Sequence, residues 1–190
     1  MAHFERTSRT VLHEWVMWKL VKSRFRAPTG EEFVRTYVES PGATGIVPIR
    51  VNAHNQYELV MVRQYRPALD TYCLEIPAGM RDVAGEDPQD TAIRELQEET
   101  GFTTHDVRPL GKYLQAPGIT DASVHLYLAV GLTEVVMNRH GPEEDDMTVV
   151  VLLLDDALRM IETGEIDNAM AVVGLLRADR LLRAESVPGA

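Results

Sequence analysis

Between Arg94 and Phe102 the chain reads RELQEETGF: an arginine, three glutamates and a glycine that ends the run. Glu95, Glu98 and Glu99 are three and four positions apart, so on a helix they share one side. With Arg94 set at zero, Glu98, Glu95 and Glu99 fall at roughly 40°, 100° and 140°. Ala92, Leu96, Thr100 and Ile93 follow at roughly 160° to 260° and predict the buried stripe. Glutamates so spaced repel one another by a few tenths of a kcal/mol per pair. A hard divalent cation such as Mg²⁺ or Mn²⁺, which takes oxygen ligands, reverses that sign. Arg94 beside them can orient one carboxylate through a bidentate contact. The bland alternative is a solvated helix face, the usual meaning of a charge run.

The helix itself has start and stop signals. Asp87 can cap it, Pro88 suits the first helical position, and Gly101 suits the stop, which predicts a helix over Pro88–Thr100. Strand-like runs come before it: WVMWKLVKSRF, EEFVRTYVES, TGIVPIRV, YELVMVRQY and the short CLEIPAG. Pro28-Thr29-Gly30 joins the first two as a hairpin, and the polar stretch Asn52 to Gln56 joins the next pair. After the helix come VRPLGKYLQA and VHLYLAVGL, the acidic loop GPEEDDM and the strand TVVVLLL. Two helices close the chain, DDALRMIET ending at Gly164 and another from about Asn168 to Ala184. Residues 1–14 show little pattern. The order predicts an α+β fold, a mixed sheet with covering helices rather than regular βαβ alternation.

Composition narrows the function. The chain has 190 residues, 45% of them hydrophobic, which suits one soluble domain with a small appended part. A net charge of −10 argues against a nucleic-acid partner, which calls for a basic stripe. No run approaches the roughly 20 apolar residues of a membrane span. The first residues lack a signal peptide's apolar core, and the single cysteine, Cys73, excludes an internal disulfide. We expect a cytoplasmic protein with no membrane contact. The six histidines show no ligand spacing, so no zinc site is expected.

With its flanks, the acidic run resembles the signature of the Nudix hydrolases. The match comprises Gly79, Glu86, Arg94, Glu95, Leu96, Glu98, Glu99, Gly101 and Phe102. Five fixed residues at about 6% each give odds on the order of 10⁻⁶ per starting position. One departure stands out: six residues, MRDVAG, separate Gly79 from Glu86 where the pattern has five. The insertion bears on where Glu86 points and leaves the helix carboxylates in place.

VRQYRP, LEIPAG, APGITDAS and GEIDNAMAVVGLL are similar to the ADP-ribose pyrophosphatase branch, over roughly residues 15–180. The resemblance implies a mixed β-sheet sandwiched between helices, residues 43–190, preceded by an N-terminal antiparallel β region, residues 1–42, that helps form a homodimer and its substrate cleft. It implies Glu95, Glu98 and Glu99 as metal ligands, with the Ala78 carbonyl, for two to three Mg²⁺ (or Mn²⁺) ions. Arg94 and Glu98 belong to the catalytic cluster. Glu143 or Glu144, in the acidic loop, supplies the general base. Arg66 contacts the diphosphate, with Arg63 and Glu75 near it, and Pro117-Gly118 shapes the adenosine pocket. Arg63 reads equally as a surface ion-pair partner, Glu75 as a partner for an arginine, and Pro117-Gly118 as a plain turn. The implied reaction is hydrolysis of ADP-ribose to AMP and ribose 5-phosphate. The alternatives are another nucleoside diphosphate sugar or nucleotide, a module that senses ADP-ribose without cleaving it, and a purely structural dimer.

Overall fold

The structure, a computed structural model, describes residues 3–137 and 145–186. Its residues fall into two compact units, Met1–Gly42 with Tyr113–Val124, and Ala43–Lys112 with His125–Ala190.

The first unit is built on a three-stranded antiparallel sheet, β1 (Glu5–Trp15), β2 (Trp18–Arg26) and β3 (Glu32–Glu39), with β2 central. The expected β2–β3 hairpin is present, in register from Lys19↔Glu39 to Arg26↔Glu32. Residues 1–14, in which the sequence shows no pattern, contain most of β1. All eleven of its residues are exposed, so no alternation of apolar and polar residues marks it. Burial in this sheet is carried by β2, where Val21 and Ser23 are fully enclosed.

The second unit carries the larger sheet. Its spine is β12 (Thr148–Leu153), β5 (Tyr57–Arg66), β4 (Ala43–Val51), β10 (Ser123–Val130) and β9 (Asp106–Leu114). β6 (Thr71–Glu75) pairs with β5, and β7 (Ala78–Met80) pairs with β4, so the expected CLEIPAG strand divides in two around Ile76-Pro77. A two-stranded pair, β8 (Phe102–Thr103) with β11 (Thr133–Glu134), has too few residues to show a period in sequence.

Helix α1 (Pro88–Thr100) covers one face of this sheet. Its Ala92 and Leu96 pack with Ile46, Tyr127 and Ala129. Fully burying a leucine such as Leu96 stabilises by about 1.5–3 kcal/mol. Alternate residues point to the other face, where an added Cβ at Gly45 would meet Met170, Ile76 and Leu126. Met170 lies on α3 (Ala169–Ser186), which buries Ala171, Leu175, Ala178 and Leu182 at helical spacing. Asn168 caps α3 by accepting from the amides of Met170 and Ala171 at 3.0 and 3.1 Å. Between β12 and α3 runs α2 (Leu154–Thr163), ended by Gly164. The second unit is thus a mixed sheet between helices, an α+β fold. Among the described residues, no helix is long and apolar enough to cross a membrane.

Candidate active site

Helix α1 begins and ends where its caps dictate. Asp87 accepts from the Gln89 amide at 2.8 Å, and Gly101, at φ 73°, donates its own amide to Gln97. A residue with a Cβ is strained at that φ, so the sharp stop after Glu99 and Thr100 depends on the glycine.

The wheel places Glu95 and Glu99 beside the buried stripe; in the structure they belong to it. Glu95 is 8% exposed and Glu99 4%, while Ile93 is only partly buried. Buried carboxylates require partners, and β7 and Arg94 supply them. The Ala78 amide donates to Glu99 Oε2 at 3.1 Å. Arg94 Nη1 lies 2.8 Å from Glu95 Oε1 and 2.9 Å from Glu98 Oε2. The i,i+4 pair of Arg94 and Glu98 could form on a solvated helix face; the bond of Glu99 to the β7 backbone could not.

Gly79 explains why β7 comes so close. A Cβ there would sit 2.0 Å from the Glu95 carboxyl, so the carboxyl would have to move. The first residue of the signature is therefore a glycine for steric reasons: the Glu95 side chain occupies the space where a side chain would begin.

Glu86, at the end of the lengthened loop, lies against the first turn of α1 and Arg94. It accepts from the Thr91 hydroxyl at 2.7 Å and from Arg94 Nε at 3.4 Å, and Asp82 stands 3.7 Å from the same guanidinium. The Thr91 bond holds the Glu86 carboxyl below the usual carboxylate range; burial opposes it and Arg94 adds to it. Burial alone would lower the Arg94 pKa, but Glu95, Glu86 and Glu98 outweigh it and the pKa is raised.

Four carboxylates and a backbone edge around one arginine make a donor set of hard oxygens, which fits a divalent cation. Glu95, Glu98 and Glu99, with the carbonyl of Ala78, are the groups that could hold it. Among the described residues, no three acidic, histidine or cysteine side chains form a ready-made ion cage. Arg94 stands among the oxygens instead.

At the far end of β5, Arg66 forms a two-pronged contact with Glu75, Nε to Oε1 at 2.8 Å and Nη2 to Oε2 at 2.7 Å. Glu75 is 2% exposed, so the reading of it as an arginine's partner describes its contacts. Glu99 also raises the Arg66 pKa, so the fork and the acidic cluster share one field. Arg63 makes a different contact: its guanidinium lies 3.8 Å from the ring centre of Tyr72. Tyr72 in turn donates to Asp146 at 2.7 Å. Sequence reasoning passed over Tyr72 and Thr91. Tyr72 faces Tyr65 across the β5–β6 pair, a register that no local pattern in the sequence marks.

Pro117 and Gly118 belong to the first unit. They line a cavity of about 690 Å³ there with Phe4, Phe25, Phe33 and Tyr37. Phe25 and Phe33 stack at 5.5 Å, and Arg35 lies over Phe33 at 4.8 Å. Glu143 and Glu144 lie outside the described residues.

The profile of the NUDIX domain matches residues 39–172. The chain belongs to the Nudix family. This Nudix chain is 39% identical over 173 residues to an ADP-ribose pyrophosphatase of Mycobacterium tuberculosis, spanning 91% of this chain and 82% of that protein. An ADP-ribose pyrophosphatase of Bacillus subtilis is 34% identical over 142 residues, 75% of this chain and 74% of that one. A methanol dehydrogenase activator of Bacillus methanolicus is 37% identical over 158 residues, 83% and 82% of the two chains. In fold, the crystal structure of an ADP compounds hydrolase matches with a TM-score of 0.81 over 96% of each chain, at 19% identity. The protein is a Nudix hydrolase of the ADP-ribose pyrophosphatase branch, and that family generally depends on divalent metal ions.

Proposed function

We propose that this hydrolase cleaves the diphosphate of ADP-ribose, consuming one water and releasing AMP and ribose 5-phosphate. The observation that carries the reading is the burial of Glu95 and Glu99 against β7, with Glu98 beside them on Arg94. Acids withdrawn from water and gathered on one side of a helix suit cation binding far better than they suit a surface. Two to three Mg²⁺ or Mn²⁺ ions, when bound, neutralise the diphosphate and lower the pKa of a bound water.

The chain's own groups do the rest. Glu95, Glu98 and Glu99 hold the ions, with the Ala78 carbonyl. Arg66, held in the plane of its fork with Glu75, presents its remaining donor to a phosphate oxygen. Glu143 or Glu144 takes the proton from the attacking water. Without ions the second unit offers an anion little, because Arg66 and Arg94 are both engaged by carboxylates. The aromatic cavity of the first unit supports a nucleoside substrate, since a base stacks on such rings. The exposed β1, with Val11, Leu12 and Trp15 on an edge strand, supports assembly as a homodimer.

The test is a panel assay with Mg²⁺ and with Mn²⁺, following hydrolysis of ADP-ribose, UDP-glucose, GDP-mannose, NADH and diadenosine polyphosphates. A lead of about tenfold in kcat/KM for ADP-ribose, worth about 1.4 kcal/mol, supports the proposal. Preference for another member keeps the mechanism and changes the substrate. Binding without turnover would make the protein a sensor. Light scattering gives the assembly: twice the 21.3 kDa chain mass is expected.

A further inference from the structure

The second half of β5 is paired on both of its edges. On one side it meets β6, with Val62↔Glu75, Arg63↔Leu74 and Tyr65↔Tyr72; on the other it meets the start of β12, with Val62↔Val149 and Arg63↔Thr148. Asp146 comes two residues before Thr148, so the antiparallel register carries it past Arg63 toward Tyr65. Tyr72 reaches Asp146 from the opposite edge. Its side chain crosses β5, with its ring centre 5.6 Å from that of Tyr65 and 3.8 Å from the Arg63 guanidinium. Its hydroxyl donates to Asp146 Oδ2 at 2.7 Å.

A bond this exposed adds little to stability, because water can replace either partner; Tyr72 is 41% exposed. Its place in the chain matters more. Asp146 closes the acidic run in which Glu143 and Glu144, the two candidates for the base, precede it by three and two positions. The next residue, Met147, is 2% exposed and seats the start of β12 in the core. A seat at Met147 and a side-chain tie at Asp146 together fix both a point and a direction for the chain there. The same hairpin holds Arg66 through its fork with Glu75. The bond to Asp146, with the charge of that carboxylate, pushes the Tyr72 pKa up against the pull of Arg63, so the phenol keeps its proton through the neutral range.

We propose that Tyr72 is a positioning residue for the hydrolysis: its bond to Asp146 ties the end of the acidic run to the β5–β6 hairpin and so sets the base relative to Arg66. Arg63, lying over the ring, holds Tyr72 in the rotamer that crosses β5. The role rests on the proposed diphosphate hydrolysis with Glu143 or Glu144 as the base. A base misplaced by about 1 Å loses rate out of proportion to any change in stability.

Four variants of the full chain test this, assayed on the panel substrate that the wild type hydrolyses fastest. Tyr72→Phe removes the hydroxyl and keeps the ring under Arg63, Asp146→Ala removes the acceptor, and the third variant combines the two. Asp146→Asn keeps a carbonyl oxygen that can accept the bond. A base acts in the transition state rather than in substrate binding. Tyr72→Phe and Asp146→Ala should therefore each lower kcat by roughly tenfold, with KM within about twofold of wild type. The double variant should be no slower than either single, and Asp146→Asn should stay within about threefold of wild type. All four should melt within about 2 °C of wild type. Wild-type kcat in Tyr72→Phe, effects that multiply in the double variant, or a loss carried by KM would overturn the role. Hydrogen exchange reads the tie independently of any substrate: the amides from Asp145 to Thr148 should exchange faster in Tyr72→Phe than in wild type or Asp146→Asn. If the wild type hydrolyses nothing in the panel, the substrate proposal fails and the exchange comparison alone decides the tie, equal rates overturning it.

Discussion

Strand β1 (ERTSRTVLHEW) and helix α1 (PQDTAIRELQEET) are alike in polarity and opposite in fate. Every residue of β1 is exposed, whereas α1 buries Thr91, Ala92, Glu95, Leu96, Glu99 and Thr100. Polarity alone does not keep a side chain in water; the partners waiting for it do. Glu99 meets an amide and Glu95 a guanidinium, so both can leave solvent. In the first unit the Arg24–Glu32 and Arg26–Glu5 pairs remain on the surface, with side chains about half exposed, 52%/40% and 49%/58%. Such pairs contribute about 0–1 kcal/mol and can be exchanged freely.

The largest effect that can break this contrast is Glu99→Gln. The amide oxygen can still accept from Ala78, so the melting temperature should stay close to wild type while turnover falls by at least about 100-fold. A variant with wild-type rate would sink the assignment of the cluster to ion binding. Next is Gly79→Ala, whose Cβ must push the Glu95 carboxyl aside. A loss of about 10- to 100-fold in turnover is expected, with a raised metal requirement in a Mn²⁺ titration.

The Arg66–Glu75 fork sharpens the comparison, because its partners are unequally buried, 41% and 3% exposed side chains. Arg66→Met leaves a buried carboxylate alone and should cost about 3 kcal/mol in a urea melt. Glu75→Leu leaves an arginine that can still reach water, and about 1 kcal/mol is expected. Equal losses would mean that burial does not set the cost. The smallest effect belongs to the first unit: Arg24→Ala should shift the melting temperature by no more than about 2 °C.

What was legible in the sequence followed the same divide. The ends of α1 and the β2–β3 hairpin could be read because caps and turns are local, written in Asp87, Pro88, Gly101 and Gly30. β1 could not be read, since no side of it is buried to impose a period. The helix wheel located the glutamates but set the edge of the buried stripe by hydrophobicity. Ile93 was therefore placed inside it, and Glu95 and Glu99 outside. What decides their burial is β7, whose Ala78 lies 21 positions before Glu99, and no helical period contains it. Tyr72 and Asp146 meet across 74 positions, and Glu75 finds Arg66 only through hairpin register, so neither pairing could be read locally.

Arg94 has one further consequence. It stands as a cation among Glu86, Glu95 and Glu98, so the repulsion between those acids is offset by a positive charge of the chain itself. A chelator should silence this protein without unfolding it. With metal removed, this face of the helix should keep its charges balanced by Arg94 and its fold unchanged.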